Sequence, residues 1–233
     1  MQYPKWDYKE YPKTLAEDDV WGQVRRTVNG KAVSEEQIQL IVHAIVDGLA
    51  LNSSDALVDI ACGNGALSNR LLPYCGKLYG TDASEYLIDI AKKKFSVPER
   101  AVYEVGDVAN YVRIESQPER FSKALCYGSF SYFSRDDAFV MLEELHKRFV
   151  NISRVFIGNL PDRDRAPPFY PVGKNYLNEL DICESQIGIW RSENEFREIA
   201  IAAGWYIETR RMPPQFYGAH FRYDVILHRS PKF

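Results

Sequence analysis

The stretch Leu57-Val58-Asp59-Ile60-Ala61-Cys62-Gly63-Asn64-Gly65-Ala66-Leu67 reads as a buried strand, a tight glycine turn and the start of a helix. The run from Ala56 to Cys62 is apolar except at Asp59, so both faces of the strand need cover, as in a parallel sheet flanked by helices. Gly63 and Gly65 let the backbone turn with no Cβ in the way of a ligand. Leu67, Leu71 and Leu72 then open an amphipathic helix. Backbone N–H groups at such a start are unpaired and point at whatever binds above the strand.

Two more acidic tips follow. Lys77-Leu78-Tyr79-Gly80-Thr81-Asp82 sets Asp82 at a strand end, where an acid can accept both hydroxyls of a ribose. Val105-Gly106-Asp107-Val108 ends the next strand in the same way. Three βα units with acidic or glycine tips describe an adenosine site at the carboxyl edge of a parallel sheet.

At these residues the sequence resembles the class I S-adenosylmethionine-dependent methyltransferases, of the small-molecule type, over roughly residues 50 to 230. VDIACGNGALS is similar to their first motif, with Ala61 where the first glycine usually stands; GTDAS resembles the second and EVGDVA the third. The resemblance implies S-adenosyl-L-methionine as cofactor and S-adenosyl-L-homocysteine as product. It implies that Asp59, Ala61, Cys62, Gly63, Asn64 and Gly65 line the cofactor, that Asp82 with Ala83 holds the ribose, and that Asp107 meets the adenine amino group with Val108 beside the ring. The expected fold is α/β, a Rossmann-like seven-stranded sheet of order 3-2-1-4-5-7-6 with the last strand antiparallel and helices on both faces.

Composition fits one domain over 1–233. A chain this long buries about 70% of its unfolded surface without staples. The net charge of −3 gives no electrostatic footprint for nucleic acid. Cys62, Cys75, Cys126 and Cys183 form no Cys-x-x-Cys pair and read as reduced thiols; no metal site is expected. With no leader-like or membrane-length apolar run, the expectation is a cytoplasmic protein, monomer or homodimer, with a small-molecule substrate and neither nucleic-acid nor membrane partners.

Residues 1–33 are set apart by Tyr3, Trp6, Tyr8, Tyr11 and Trp21, with Pro4 and Pro12 among them. They read either as a tail packed on the sheet or a partner, or as a lid over cofactor and substrate. Within Trp21-Gly22-Gln23-Val24-Arg25-Arg26 an arginine could grip the methionine carboxylate; Trp21 and Arg26 are assigned to the cofactor and Arg25 to the substrate, against plain surface arginines. Ser34-Glu35-Glu36-Gln37 reads as a capping box before the stripe Ile38, Ile41, Val42, Ile45, Val46, Leu49. Ser84 caps a second helix, whose Lys92-Lys93-Lys94 suits the helix dipole.

The fourth strand, Phe121 to Tyr127, exits into Gly128-Ser129-Phe130-Ser131-Tyr132-Phe133 at the switch point, where ligands bind. Many members of the resembled family carry an acid, asparagine or proline-rich signature here, and its absence argues against amino-group methylation of nucleic-acid bases; the ring faces, Tyr127 among them, suit a sulfonium or simply pack. Tyr132 and Asn159, at the fifth strand's tip, are assigned to the substrate. Residues 162–190 are long for a connection and read as a substrate-facing insertion, in which Arg163 and Arg165 recognise an anion or pair with Asp162 or Asp164. Ser192 to Glu195 is a further capping box. The last two strands lack a crossover helix and must pair antiparallel. Their link brings Tyr217, His220 and Arg222 to the ligand edge, with Tyr217 and His220 as catalytic candidates and Arg222 for substrate; His220 is a base, or orients substrate or caps the hairpin.

The expected function is methyl transfer to a small, anionic or sugar-like acceptor, preferably at oxygen. The alternatives are a non-catalytic cofactor-binding relative and an NAD-dependent oxidoreductase, which Ser68 at the third glycine position disfavours.

Overall fold

A computed structural model describes residues 7–173 and 175–230. Tyr3, Pro4 and Trp6 of the aromatic N-terminal stretch lie outside the described residues. In chain order the elements are α1 (Asp7–Glu10), α2 (Val20–Gln23), β1 (Thr27–Val28), β2 (Lys31–Ala32), α3 (Glu35–Leu49), β3 (Ala56–Ile60), α4 (Ala66–Leu71), β4 (Lys77–Asp82), α5 (Glu85–Phe95), β5 (Ala101–Val105), α6 (Val108–Ile114), β6 (Lys123–Tyr127), α7 (Arg135–Lys147), β7 (Arg154–Pro161), α8 (Glu193–Ala202), β8 (Tyr206–Arg210) and β9 (Arg222–His228).

Seven of these strands form one sheet in the order β5-β4-β3-β6-β7-β9-β8. β5, β4, β3, β6 and β7 run parallel, and β9 is antiparallel to both β7 and β8. This is the expected Rossmann-like order. The missing crossover helix between the last two strands forces it, since β9 can return only against its neighbours.

Both faces of the central strands β3, β6, β7 and β9 are apolar, and successive residues feed opposite cores. Leu57, Leu125, Phe156 and Ile226 belong to the cluster that includes Ile38, Ile41 and Ile45 of α3. Val58, Ala124, Val155 and Val225 belong to the cluster that includes Leu142 and Leu145 of α7 and Phe196 of α8. A period of two with no polar face is what a doubly covered sheet requires. α3 lies close on the sheet because Gly48 is there: a Cβ would come within 2.6 Å of the Phe156 ring.

Local signals set most element ends. Ser84, Asp107, Ser134 and Ser192 accept the backbone N–H that opens α5, α6, α7 and α8, and Ser192 with Glu195 forms the full capping box. The box expected at Ser34–Gln37 does not form: Ser34 makes no side-chain cap. Gln37 instead reaches across to the link before β9, donating to the Gln215 carbonyl (3.0 Å) and accepting from the Tyr217 N–H (2.9 Å). Between β7 and α8, residues 162–190 hold short 3-10 turns around a small core of Ala166, Leu180, Trp190 and Phe221. No helix among the described residues is long and apolar enough to cross a membrane.

Candidate functional site

A cavity of about 640 Å³ opens at the C-terminal ends of the parallel strands. Its floor is made by the tips of β3, β4, β6 and β7, and residues 8–26 cover it from above.

Toward β5, the cavity is lined by Asp82, Ala83, Asp107 and Val108. Each Asp82 oxygen accepts one backbone N–H, from Gly63 and from Ser84, at 2.9 Å. That fixes the carboxylate and leaves a lone pair on each oxygen for a diol. Burial pushes the Asp82 carboxyl up, and the Ser84 and Gly63 amides pull it back. Asp107 is exposed and caps α6 through the Asn110 N–H (3.3 Å).

The glycine turn lies beneath the centre. Gly63 and Gly65 have φ of 60° and 75°, and a Cβ on Gly65 would come within 2.8 Å of the Tyr103 ring. Ala61, where the resembled motif has glycine, sits at φ 61°. A left-handed alanine costs about 1–2 kcal/mol, so backbone strain is held at the cavity floor. Asn64 lines the cavity and also ties down its cover: its amide donates to the Val20 carbonyl (2.7 Å) and to Gln23 Oε1 (2.9 Å).

A buried acid and a buried arginine both line the middle of the cavity, and the arginine acts on the acid electrostatically without a direct ion pair among the described residues. Asp59 is buried at the end of β3 and accepts from the Ser68 hydroxyl at 2.5 Å. Burial lifts its carboxyl to about 7, against the opposing pull of Ser68 and Arg26. Arg26 is buried with its guanidinium 4.8 Å from the Tyr127 ring centre and 5.9 Å from that of Trp21. Its Nε and Nη1 find no hydrogen-bond partner among the described residues. A buried charged donor left unpaired costs more than the about 1–3 kcal/mol of a neutral one, so this end is built for an anion.

Toward β7, a bulge shapes the wall. The β7–β9 register shifts between Ile157 and Leu160, and Asn159 takes φ 66°. Both of its backbone groups are held: the N–H donates to buried Asp224 (2.7 Å), and the carbonyl accepts from Arg222. Burial raises Asp224 to about 6, opposed by the Asn159 amide and Arg222. Asn159, Arg222, Tyr217 and Tyr132 all line the cavity. The Asn159 Oδ1 and the Tyr127 hydroxyl are buried without a partner among the described residues. At the mouth the Tyr8 and Tyr132 rings meet at 4.6 Å, and Arg25 pairs with Asp7 and lies 4.0 Å over the Tyr11 ring.

Five assigned residues are not among those lining the cavity, and Gly65, beneath the turn against the Tyr103 ring, is one of them. His220 is exposed, its ring 4.7 Å from that of Phe221. Arg163 is bound to Asp181 (2.7 and 3.0 Å) and Arg165 lies 3.7 Å from Asp162, so both serve the insertion's own ion pairs. Trp21 packs against the α3-side core, with the Arg26 guanidinium 5.9 Å from its ring centre. Sequence reasoning missed Tyr8, Gln23, Ser68, Gln37 and Asp224. Only the β1–β2 hairpin that follows Arg26 had a signal, the Asn29-Gly30 pair with φ 50° and 75°.

Residues 57–150 match a family model described as a methyltransferase domain. Over that stretch, less than half of its length, the chain is similar to a methyltransferase domain. An uncharacterized methyltransferase of Schizosaccharomyces pombe is 29% identical over 114 residues, 46% of this chain and 39% of that protein. A second from the same organism is 43% identical over 49 residues, 21% of this chain and 19% of that protein. The chain thus aligns with less than half the length of either relative. Among solved structures, the magnesium protoporphyrin IX methyltransferase of Synechocystis PCC 6803 with bound SAM matches the methyltransferase fold at TM-score 0.60 and 17% identity, covering 96% of this chain and 98% of that one. The methyltransferase domain of bacterial CtHen1 matches at TM-score 0.60 and 13% identity, covering 83% and 98%. At these identities the likeness is one of fold. The residues around the cavity nevertheless fit the cofactor that the motifs imply: a fixed carboxylate for a diol, a buried guanidinium unpaired among the described residues for a carboxylate, and a buried acid for an ammonium.

Proposed function

We propose that this chain binds S-adenosylmethionine and methylates a small acceptor, preferably at oxygen. The observation that carries the reading is the buried Arg26, unpaired among the described residues, beside Asp59 and in the same cavity as Asp82 and Asp107. In this reading Asp82 takes the ribose hydroxyls, Asp107 and Val108 the adenine, Arg26 the methionine carboxylate and Asp59 its ammonium. When bound, the cofactor supplies a methyl group on a sulfonium sulfur.

The protein's part is alignment and exclusion of water. Tyr127 and Tyr132 offer ring faces to the cation. The cover formed by residues 7–26 acts as the lid, pinned by Asn64 at one end and by the Tyr8–Tyr132 contact at the other. A cavity of about 640 Å³ is of small-ligand size, and this supports a small acceptor over a polymer. Tyr217 is the better candidate than His220 to meet the acceptor, because it lines the cavity and Gln37 holds its backbone. Among the described residues the end bounded by Tyr132, Tyr217, Asn159 and Arg222 holds no histidine, which favours an acceptor oxygen that arrives ionised and needs no base.

Calorimetric titration with S-adenosylhomocysteine and, separately, NADH tests the cofactor. Micromolar binding of the first and none of the second is expected; binding of NADH alone would overturn the assignment in favour of an oxidoreductase.

A further inference from the structure

The wall toward β7 carries polar groups that the cofactor assignment leaves unused. Asn159 and Tyr127 line the cavity, and Asn159 Oδ1 and the Tyr127 hydroxyl are buried in its wall with no partner among the described residues. Arg222 stands beside them, one of its nitrogens spent on the Asn159 carbonyl. Tyr132, Tyr217 and Tyr127 line the same cavity and interact with its guanidinium, as does the carboxylate of Asp224. That carboxylate already accepts the Asn159 N–H from behind the bulge. Toward the cavity, then, Arg222 faces phenols and an amide.

The bulge exists to make this arrangement. Without it, Asn159 would continue the strand; with it, the backbone is left-handed and clamped at both its N–H and its carbonyl. Gly128, at φ 79°, turns the β6 exit beneath them: Asn159 Nδ2 and Arg26 Nη2 lie 3.5 and 3.7 Å from where its Cβ would stand, so both side chains hang over the same point. A subsite holding one guanidinium, one hydrogen-bond acceptor and one phenol matches a ligand with an oxyanion and, a few ångströms away, a donor.

Resting on the methyltransferase reading above, we infer that the acceptor is a small oxyanion bearing a hydroxyl group, its charge facing Arg222 and its hydroxyl donating to Asn159 Oδ1. The shared chemistry admits a carboxylate or a phosphate. A neutral sugar lacks the charge and a simple acid lacks the donor. Asn159 determines this specificity, and Asp224 is a positioning residue that acts through it.

The test uses the full chain saturated with S-adenosylhomocysteine and ligand-observed NMR. The probes are 4-hydroxybenzoate, lactate, glucuronate and glycerol 3-phosphate, each beside its uncharged counterpart (4-hydroxybenzamide, lactamide, glucose, glycerol); benzoate and propionate serve as counterparts without the hydroxyl. At least one hydroxylated anion should bind tenfold or more tighter than its uncharged counterpart, and a carboxylate so selected should also exceed its dehydroxylated one. Binding among the three carboxylates or with the phosphate alone tells the two sources apart. Asn159→Gly relieves the left-handed backbone while removing the amide, and Asn159→Asp sets a like charge against the anion. Both should cut that binding tenfold or more with S-adenosylhomocysteine affinity unchanged within twofold. No hydroxylated anion exceeding its counterparts, or full anion binding by both variants, overturns the inference and leaves the cofactor reading standing. Loss of S-adenosylhomocysteine binding by the unmodified protein would strike the cofactor reading instead.

Discussion

Asp82 and Asp59 are both buried carboxyls at strand tips, yet they answer to different perturbations. Asp82→Asn keeps the shape but loses the charge that strengthens two hydroxyl contacts. S-adenosylhomocysteine affinity should fall tenfold or more by calorimetry, following the about 1.5–3 kcal/mol of a hydrogen bond to a charged group. Asp59 holds its proton until about pH 7 in the free protein because burial outweighs Ser68 and Arg26. Its native pKa is above the unfolded one, so the native state binds more protons between about pH 4 and 7. Stability therefore falls as pH rises through that window and is level above it; Asp59→Asn should flatten this slope in denaturant titrations across pH. If Asp59 receives the ammonium, ligand binding at pH 7 releases a proton, and affinity rises from pH 6 to 8 in the wild type but not in the variant. Calorimetry in two buffers of different ionisation enthalpy reads the proton directly. Asp59, Asp82 and the glycines stood out in sequence because their types and spacing are peculiar to one kind of βα turn. Gln37 and Asp224 did not, since their partners lie far along the chain and only the folded sheet brings them together.

At the scale of the element, α3 ends with an alanine where a glycine is usual. Ala50 has φ 49°; its N–H bonds to the Asp47 carbonyl, and that of Leu51 to Val46 at 3.0 Å. This is a helix end built for a left-handed residue. Ala50→Gly should raise stability by about 0.5–1 kcal/mol in urea titrations, the left-handed strain removed exceeding the extra chain entropy of glycine. At the opposite extreme, Ser192→Ala should cost about 1 kcal/mol by undoing the capping box of α8. The same four-residue pattern was legible at Ser34 and misleading there. A capping glutamine has a second use if another segment offers it a carbonyl and an N–H, and Gln215 and Tyr217 do so. The strands were easier to read than the caps, because their alternation between two apolar cores tolerates no competing partner.

For the whole molecule, the sheet order follows from the crossover helices and the final hairpin, all visible in sequence. The cover of the cavity does not, because short helices and a two-residue hairpin leave little periodicity to find. Its stability is set by few contacts: Asn64 to α2, Arg25 to Asp7 and Tyr11, Tyr8 to Tyr132, and Lys93 to Glu17 (2.6 Å). Hydrogen exchange should show residues 7–26 opening well before β3, β4 and β6, and S-adenosylhomocysteine should slow that exchange tenfold or more; equal protection of cover and sheet in the free protein would show the cover to be part of the rigid core. Phe156→Ala, in contact with α3 through Gly48, should cost about 3–5 kcal/mol and loosen both together. The antiparallel course of β9 has one more result, which concerns time rather than space. Asp59, Asp82 and Asp107 leave the ribosome in one early stretch of the chain, but Arg222 and the strand that clamps Asn159 follow only after more than a hundred further residues, on the order of ten seconds later. A nascent chain can thus complete one half of its cavity well before the residues proposed to face the acceptor have been made.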